Sequence, residues 1–447
     1  MVINDTDSGI ADFISEMKSP SAMISVEGQL TAIGPKGLVA KGLSHLAGLE
    51  DFVAIKGKTG QSLAEVVFVD KDQIIAKPLD ADAHVYLGDT VRAIGKPRFY
   101  PHEQWKGRLI SATAEPLDGK GPLPEGQKGI TYSGKAVAAV ERAAITTKLV
   151  TGVKSIDLFT PLCYGQRMGI FAGSGVGKST LMGMLAASPG FDCAVIALVG
   201  ERGREVTEFV HEVLGPALSK SIVIIATGDE SASMRKRAAL LAASIAEWFR
   251  DQGQNVLLMM DSLTRYAQAL RELALAGGEP PVSRGFPPSV FSALPQILER
   301  AGPGPKGGGT ITGIFSVLVE GDNHNEPVAD AVRGTLDGHI VLDRRIAAAG
   351  RFPAIDLLGS ISRLSHKAHT ADEARIATEM RRLVDRYEDS RDLRALGGYQ
   401  PGKDPELDRA LFLVPKLYSM LGQSPGQQPI QNIIAVAGDL LKPAAKH

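Results

Sequence analysis

Cysteine, long apolar runs and net charge are all scarce in this 447-residue chain, and each scarcity removes a class of function. Cys163 and Cys193 are the only cysteines, both in apolar surroundings, which rules out a disulfide framework or a zinc cluster and fits a reducing cytosol. The most apolar stretches, such as Val256 to Met260, are far too short to span a bilayer. The opening Met1-Val2-Ile3-Asn4-Asp5 does not follow the basic-then-apolar pattern of a signal peptide, so a soluble cytoplasmic protein is expected. A net charge of −1 gives no bulk pull toward nucleic acid or an acidic membrane. What remains is ordinary: 44% hydrophobic and 22% charged residues, enough chain for two or three domains with a sizeable core.

The pattern changes along the chain. Residues 1–20 carry one short amphipathic helical segment, with Ile10, Phe13, Ile14 and Met17 on one face and Pro20 ending the run. Residues 21–92 read as a small β-barrel. Short strands are expected at Met23 to Val26, Phe52 to Ile55, Glu65 to Val69, Ile74 to Ala76 and Ala83 to Leu87, each bounded by Gly, Pro or Asp. After a Pro- and Gly-rich connection to about residue 150, apolar strands alternate with helices, the signature of a mostly parallel sheet covered on both faces. Residues 93–369 are therefore assigned to one α/β domain. Residues 370–447 are assigned to a helical domain, opening on a capping box at Thr370 and Glu373 with Ile376, Met380, Leu383, Val384 and Tyr387 on its apolar face.

One strand in the α/β region leads into Ala172-Gly173-Ser174-Gly175-Val176-Gly177-Lys178-Ser179 and then a helix. Glycines there let consecutive backbone N–H groups turn toward phosphates, and the helix N-terminus adds a favourable field. Lys178 supplies charge at the β- and γ-phosphates, and the Ser179 hydroxyl ligates magnesium. A second apolar strand ends in Asp261, which reads either as a magnesium holder or as an ordinary helix cap. A third ends at Val199 and is followed by Glu201. In a parallel sheet these strand ends share one edge, where Glu201 either polarises an attacking water or sits as a solvated loop residue.

Several motifs in series resemble the hexameric rotary ATPases, and most of all their flagellar and type III protein-export branch. They are Gly169 to Thr180, Gly200-Glu201-Arg202-Gly203-Arg204-Glu205-Val206, Asp261-Ser262-Leu263-Thr264-Arg265-Tyr266-Ala267, Arg284 to Phe291 and Asp337 to Leu342. The similarity spans about residues 21 to 420. It implies a RecA-like P-loop core with a mostly parallel sheet, an N-terminal small β-barrel and a C-terminal helical domain. It also implies magnesium-dependent ATP hydrolysis by a homohexamer.

Carried onto matching positions, the resemblance makes Glu201 the catalytic glutamate and places Arg202 and Arg265 near the γ-phosphate. Nucleotide binding falls to Gly173, Ser174, Gly175, Val176, Gly177, Lys178, Ser179 and Thr180. Arg363, in Ser360-Ile361-Ser362-Arg363, becomes the arginine lent by a neighbouring subunit, and Phe352 the aromatic that stacks on adenine. Arg363 has a second reading as an interface or surface salt-bridging residue, and from the sequence alone Phe352 reads as core packing before it reads as a stacking residue.

Further implied partners are a regulator at the N-terminal segment, a central stalk near Tyr399 to Pro405, an export gate, and export substrates with their chaperones. The protein would work in the cytoplasm, peripherally on the inner-membrane export apparatus. Arg235, Lys236 and Arg237 read as a solvated or subunit-facing patch.

Two other functions compete. Rho-type RNA translocases share this core, but residues 1–92 hold eight Lys or Arg against thirteen Asp or Glu, which repels phosphate. A non-catalytic subunit of a rotary ATPase typically lacks the glutamate found here at position 201.

Overall fold

Short alternating runs separated by glycine turns close on themselves at the N-terminus. The computed structural model describes residues 26–442 apart from 35, 59, 81–82, 135, 320–325 and 428–431. The amphipathic segment expected at 1–20 lies outside these residues.

Six antiparallel strands form the first unit: β1 (Glu27–Gly34), β2 (Gly37–Lys41), β3 (Phe52–Gly57), β4 (Gly60–Val69), β5 (Gln73–Pro78) and β6 (Thr90–Gly95). They run in the order β1-β2-β5-β4-β3-β6, and β6 pairs back onto β1 to close a barrel. Alternate residues, among them Leu30, Val53, Ile55, Val66, Ile74 and Val91, fill its interior. The β1–β2 turn needs glycine at Gly37, where φ is +131° and a Cβ would stand 2.7 Å from the Ala76 carbonyl oxygen.

Two expectations shift here. Ala83 to Leu87 is a loop, because the Tyr86 N–H donates to the Asp89 carboxylate (2.8 Å) and the chain turns at Gly88. The closing strand comes after it and runs to Gly95, so the barrel extends past residue 92 and the first unit ends at Pro97.

The second unit, from Arg98, is built on one sheet. Its strands are β7 (Leu109–Ser111), β8 (Arg167–Ala172), β9 (Cys193–Val199), β10 (Ser221–Ala226), β11 (Asn255–Asp261), β12 (Thr310–Leu318), β13 (Gly338–Leu342) and β14 (Ile361–Ser362). The order is β14-β13-β8-β12-β11-β9-β10-β7. All neighbours along this order are parallel except β14, which pairs antiparallel with β13; off this path, the two residues Gly302–Pro303 also pair antiparallel with β12. The central strand β9 is buried at every position, as expected of a parallel strand covered on both faces. Strand β7 arises inside the stretch read as a connection. There Asp118 takes the Arg108 guanidinium at 2.7 Å and the Leu109 N–H at 3.1 Å, and the Arg108 bond holds its carboxyl well below the usual range.

Helices α1 (Lys178–Ala186), α2 (Ala232–Asp251), α3 (Leu263–Ala276) and α4 (Pro288–Leu298) follow the sheet strands. Arg237 on α2 is buried over the Tyr132 ring, 4.6 Å from its centre, and Arg235 pairs with Glu272. Neither guanidinium is therefore free in solvent, as the solvated reading of the basic run would have it.

The C-terminal helices are α5 (Ala371–Asp389), α6 (Pro405–Leu421) and α7 (Ile433–Leu441). Thr370 and Glu373 form the expected reciprocal capping box at the start of α5. Met380, Leu383 and Val384 share one continuous core with Ile156, Phe159 and Leu162, so these helices belong to the same compact unit as the sheet. The helical region begins at Ala371, and its packing joins it to the unit of the sheet. Among the described residues no helix is long and apolar enough to cross a membrane.

Candidate active site

Strand β8 delivers the chain to a tight turn at which Gly175 (φ +76°) and Gly177 (φ +91°) adopt left-handed conformations open to glycine. Gly177 caps α1, and Val176 is buried 2% exposed, pinning the loop from beneath while Ser174 and Gly175 face solvent. The result is the backbone nest followed by a helix N-terminus that suits a phosphate chain.

The sheet order places β12 between β8 and β11, with β9 next beyond. Because these strands are parallel, the residues that follow their carboxyl ends meet at one edge. A cavity of about 670 Å³ opens there, lined by the loop from Gly173 to Thr180 together with Glu201, Asp261, Arg265 and Arg344. Helix α3 is capped by the Ser262 side chain, which accepts from the Arg265 N–H. Asp261 is thereby released from the capping role and aims its carboxylate at Lys178.

Lys178 Nζ pairs closely with Asp261 Oδ1 and lies 3.5 Å from Glu201 Oε1. Ser316 Oγ donates to the same Asp261 oxygen at 2.6 Å. Burial by itself would lower the Lys178 pKa, but the two facing carboxylates outweigh it and hold the ammonium charged beyond its ordinary range. Glu201 behaves oppositely. Burial first, then the neighbouring Asp261 charge, push its carboxyl up to about 7, against the pull of Lys178. A carboxylate poised near neutrality beside a phosphate loop suits proton traffic with water.

The other expected residues divide into two groups. Phe352 stands close to the phosphate loop: a Cβ on Gly177 would sit 3.8 Å from its ring. That ring is 47% exposed, so it is not core packing. It borders a second cavity of about 1100 Å³ shared with Arg351, Tyr418 and Gln423. The Gln423 N–H donates to the Phe352 carbonyl at 2.9 Å, and Lys154 Nζ caps the end of α6 through the Met420 and Gly422 carbonyls (3.0 and 2.9 Å).

Arg363 lies elsewhere. Its N–H donates to the Asp337 carbonyl at 2.9 Å, and Asp337 is level with Arg167, where β8 begins. The phosphate loop follows the opposite end of β8, about 20 Å away along the strand, beyond the reach of one side chain. Arg363 is exposed and does not line its own chain's phosphate cavity. Arg202, by contrast, lines that cavity, though it is exposed, with 84% of its side chain open and a 3.5 Å pairing to Glu205. Arg265 is half-buried, donates to Gln268 (3.1 Å) and leaves a buried Nε without a partner.

Sequence reading missed Ser316 and Arg344. Arg344 follows β13 as Glu201 follows β9, so the rule that strand ends converge would have found it. Ser316 sits inside an apolar run and gave no such signal.

Residues 152–362 match the nucleotide-binding domain of the ATP synthase alpha/beta family, and residues 369–431 match the C-terminal domain of the type III secretion ATPase EscN. The chain is 49% identical over 436 residues to the flagellum-specific ATP synthase of Rhizobium meliloti, covering 98% of this chain and 93% of that protein. It is 43% identical to the SPI-2 type 3 secretion system ATPase of Salmonella typhimurium, over 82% of this chain and 84% of that one. The structure of assembled EscN from enteropathogenic E. coli superposes with a TM-score of 0.85 at 40% identity, covering 93% of this chain and all of that chain. The chain belongs to the ATP synthase alpha/beta family, in its flagellar and type III secretion branch.

As a member of that family it is an ATPase. The family's nucleotide-binding region, 152–362, contains all four loop and strand-end groups gathered at the 670 Å³ cavity: the phosphate loop, Glu201, Asp261 and Arg344. The ATPase core thus brings its phosphate-facing groups together within one chain and keeps Arg363 at the far edge of the sheet.

Proposed function

We propose that this chain hydrolyses ATP to drive protein export by a flagellar-type type III apparatus, docking, unfolding or releasing export substrates and their chaperones. The observation that carries the catalytic part is the meeting of Lys178, Glu201 and Asp261 at one sheet edge over a helix N-terminus. Residues 173–180 wrap the phosphates, Phe352 stacks on adenine, and Glu201 orients the attacking water and accepts its proton.

A magnesium ion suits the oxygen donors at this edge, since such a site takes one carboxylate, one hydroxyl and phosphate oxygens and keeps several waters. Ser179 and Asp261 would hold it, and bound there it neutralises phosphate charge. Arg265 and Arg344 add positive charge at the mouth of the cavity. Arg202, at the exposed rim of the same cavity and paired with Glu205, has the weaker claim to that role.

Arg363 serves the site of an adjoining subunit, which its distance from its own phosphate loop favours. The active form is then a homohexamer. A solved complex of EscN with its central stalk EscO supports a stalk partner, and we assign its contact to the loop from Tyr399 to Pro405. The N-terminal segment is proposed to bind a regulator, and the assembly to sit on the cytoplasmic face of an inner-membrane export gate. Nucleic acid is not a proposed ligand, since the barrel region carries excess negative charge.

The flagellar reading is preferred to a virulence system because flagellum-specific relatives reach 49% identity against 43% for the SPI-2 ATPase. The decisive test is Glu201→Gln in the assembled protein. Turnover is expected to fall by about 10² or more while nucleotide binding persists, and parental turnover would sink the reading.

A further inference from the structure

Strand β12 carries a hydroxyl where its neighbours are apolar. Ser316 is fully buried between Phe315 and Val317, themselves buried. A hydroxyl placed there is disfavoured unless it is hydrogen-bonded, and it is: Oγ donates to Asp261 Oδ1 at 2.6 Å. The contact is set by register. Parallel pairing that aligns Met260 with Phe315 brings Asp261 beside Ser316 on the next step. Two residues on, the Leu318 N–H donates to Thr264 Oγ1 at 2.9 Å, tying the start of α3 to the same strand. Strand β12 therefore grips both Asp261 and the turn that follows it.

We propose that Ser316 is the positioning residue for the magnesium ion, fixing the Asp261 carboxylate in the orientation that the ion's water shell requires. The inference rests on Asp261 being the metal-holding carboxylate. Two donors reach that carboxylate oxygen, Lys178 and Ser316. Lys178 belongs to the phosphate loop, so a bound phosphate competes for its ammonium. Ser316 does not line the cavity and has no other ligand to serve. It is the donor that stays with Asp261 whatever the loop binds. Partners one step behind a metal ligand commonly govern metal affinity by about 10- to 100-fold.

The test titrates Mg²⁺ against a fluorescent ADP bound to the full-length protein, with a parallel measurement in EDTA. Ser316→Ala is expected to raise the half-saturating Mg²⁺ concentration about tenfold while leaving metal-free ADP affinity unchanged. Ser316→Thr restores the parental value, and Ser316→Cys, which keeps the volume but donates weakly, falls between. Asp261→Asn is the control and shifts the Mg²⁺ dependence most.

An unshifted Ser316→Ala beside a shifted Asp261→Asn overturns this inference alone. Equal loss of metal-free affinity in Ser316→Ala overturns it as well, since that outcome marks a packing defect. An unshifted Asp261→Asn overturns the metal reading on which it stands.

Discussion

Two sets of charged groups in this ATPase are built in opposite ways. Lys178, Glu201 and Asp261 are interlocked, largely buried and assembled from three elements of one chain. Arg363 is exposed just past the antiparallel edge strand β14, at the end of the sheet where the parallel strands begin. The first set can be completed by folding. In the proposed role, the second meets a phosphate only across an interface. On that reading, folding alone yields a protein equipped to bind nucleotide and poorly equipped to turn it over.

The sharpest way to break that contrast is to separate the two sets onto different chains. Arg363→Ala alone is expected to lower assembled turnover by about 10³, and Glu201→Gln by about 10². In rings mixed from equal amounts of the two variants, some sites pair an intact Glu201 with an intact neighbouring arginine. Activity is then expected to recover to about a quarter of the parental rate. No recovery on mixing, measured by steady-state phosphate release, would place both groups in the same chain's site.

A smaller effect tests which set Phe352 belongs to. Its ring stands by Gly177 of the same chain, so Phe352→Ala should weaken nucleotide binding even in dilute, unassembled protein. The expected loss is about tenfold in ATP affinity, the size of one aromatic stacking contact. Equal affinity for parent and variant in fluorescence titration would remove Phe352 from the nucleotide site.

The smallest effect concerns stability without nucleotide. The folded protein holds the Glu201 proton up to about pH 7, against an ordinary value of 4.5. An unfolded chain gives it up earlier, so this group's contribution to stability is lost as pH rises through that window. Glu201→Gln should therefore leave the unfolding midpoint near parental at pH 5 and raise stability at pH 8 by on the order of 2 kcal/mol. Denaturant melts at the two pH values read this directly, and a uniform shift at both would contradict the buried-carboxyl account.

The contrast also explains what could be read from the residues in order. Gly175, Gly177, Lys178, Glu201 and Asp261 were legible because each sits at a strand end, where local composition and parallel topology agree. The capping box at Thr370 was legible because its two residues are three apart and each caps the other's backbone. Pairing across the sheet was not. Three residues, Leu109 to Ser111, form an edge strand because β10 offers them a partner, and nothing in their own sequence announces it. Ala83 to Leu87 alternates like a strand, yet the Asp89 side chain captures the Tyr86 N–H and turns the chain first. Ser316 was invisible for the same reason, since its partner lies 55 residues away. The shared core of the C-terminal helices likewise depends on contacts with Ile156 and Leu162, far upstream.

The place of Arg363 just past β14 has an arithmetic consequence if it serves the adjoining site as proposed. A row of n protomers with two open ends then contains only n − 1 nucleotide pockets that have received a neighbour's guanidinium, because the terminal one faces water. Joining the ends supplies the last guanidinium without adding a protomer. Per-chain turnover therefore steps upward at the moment of closure, and the enzyme's rate doubles as a gauge of whether its circle is whole.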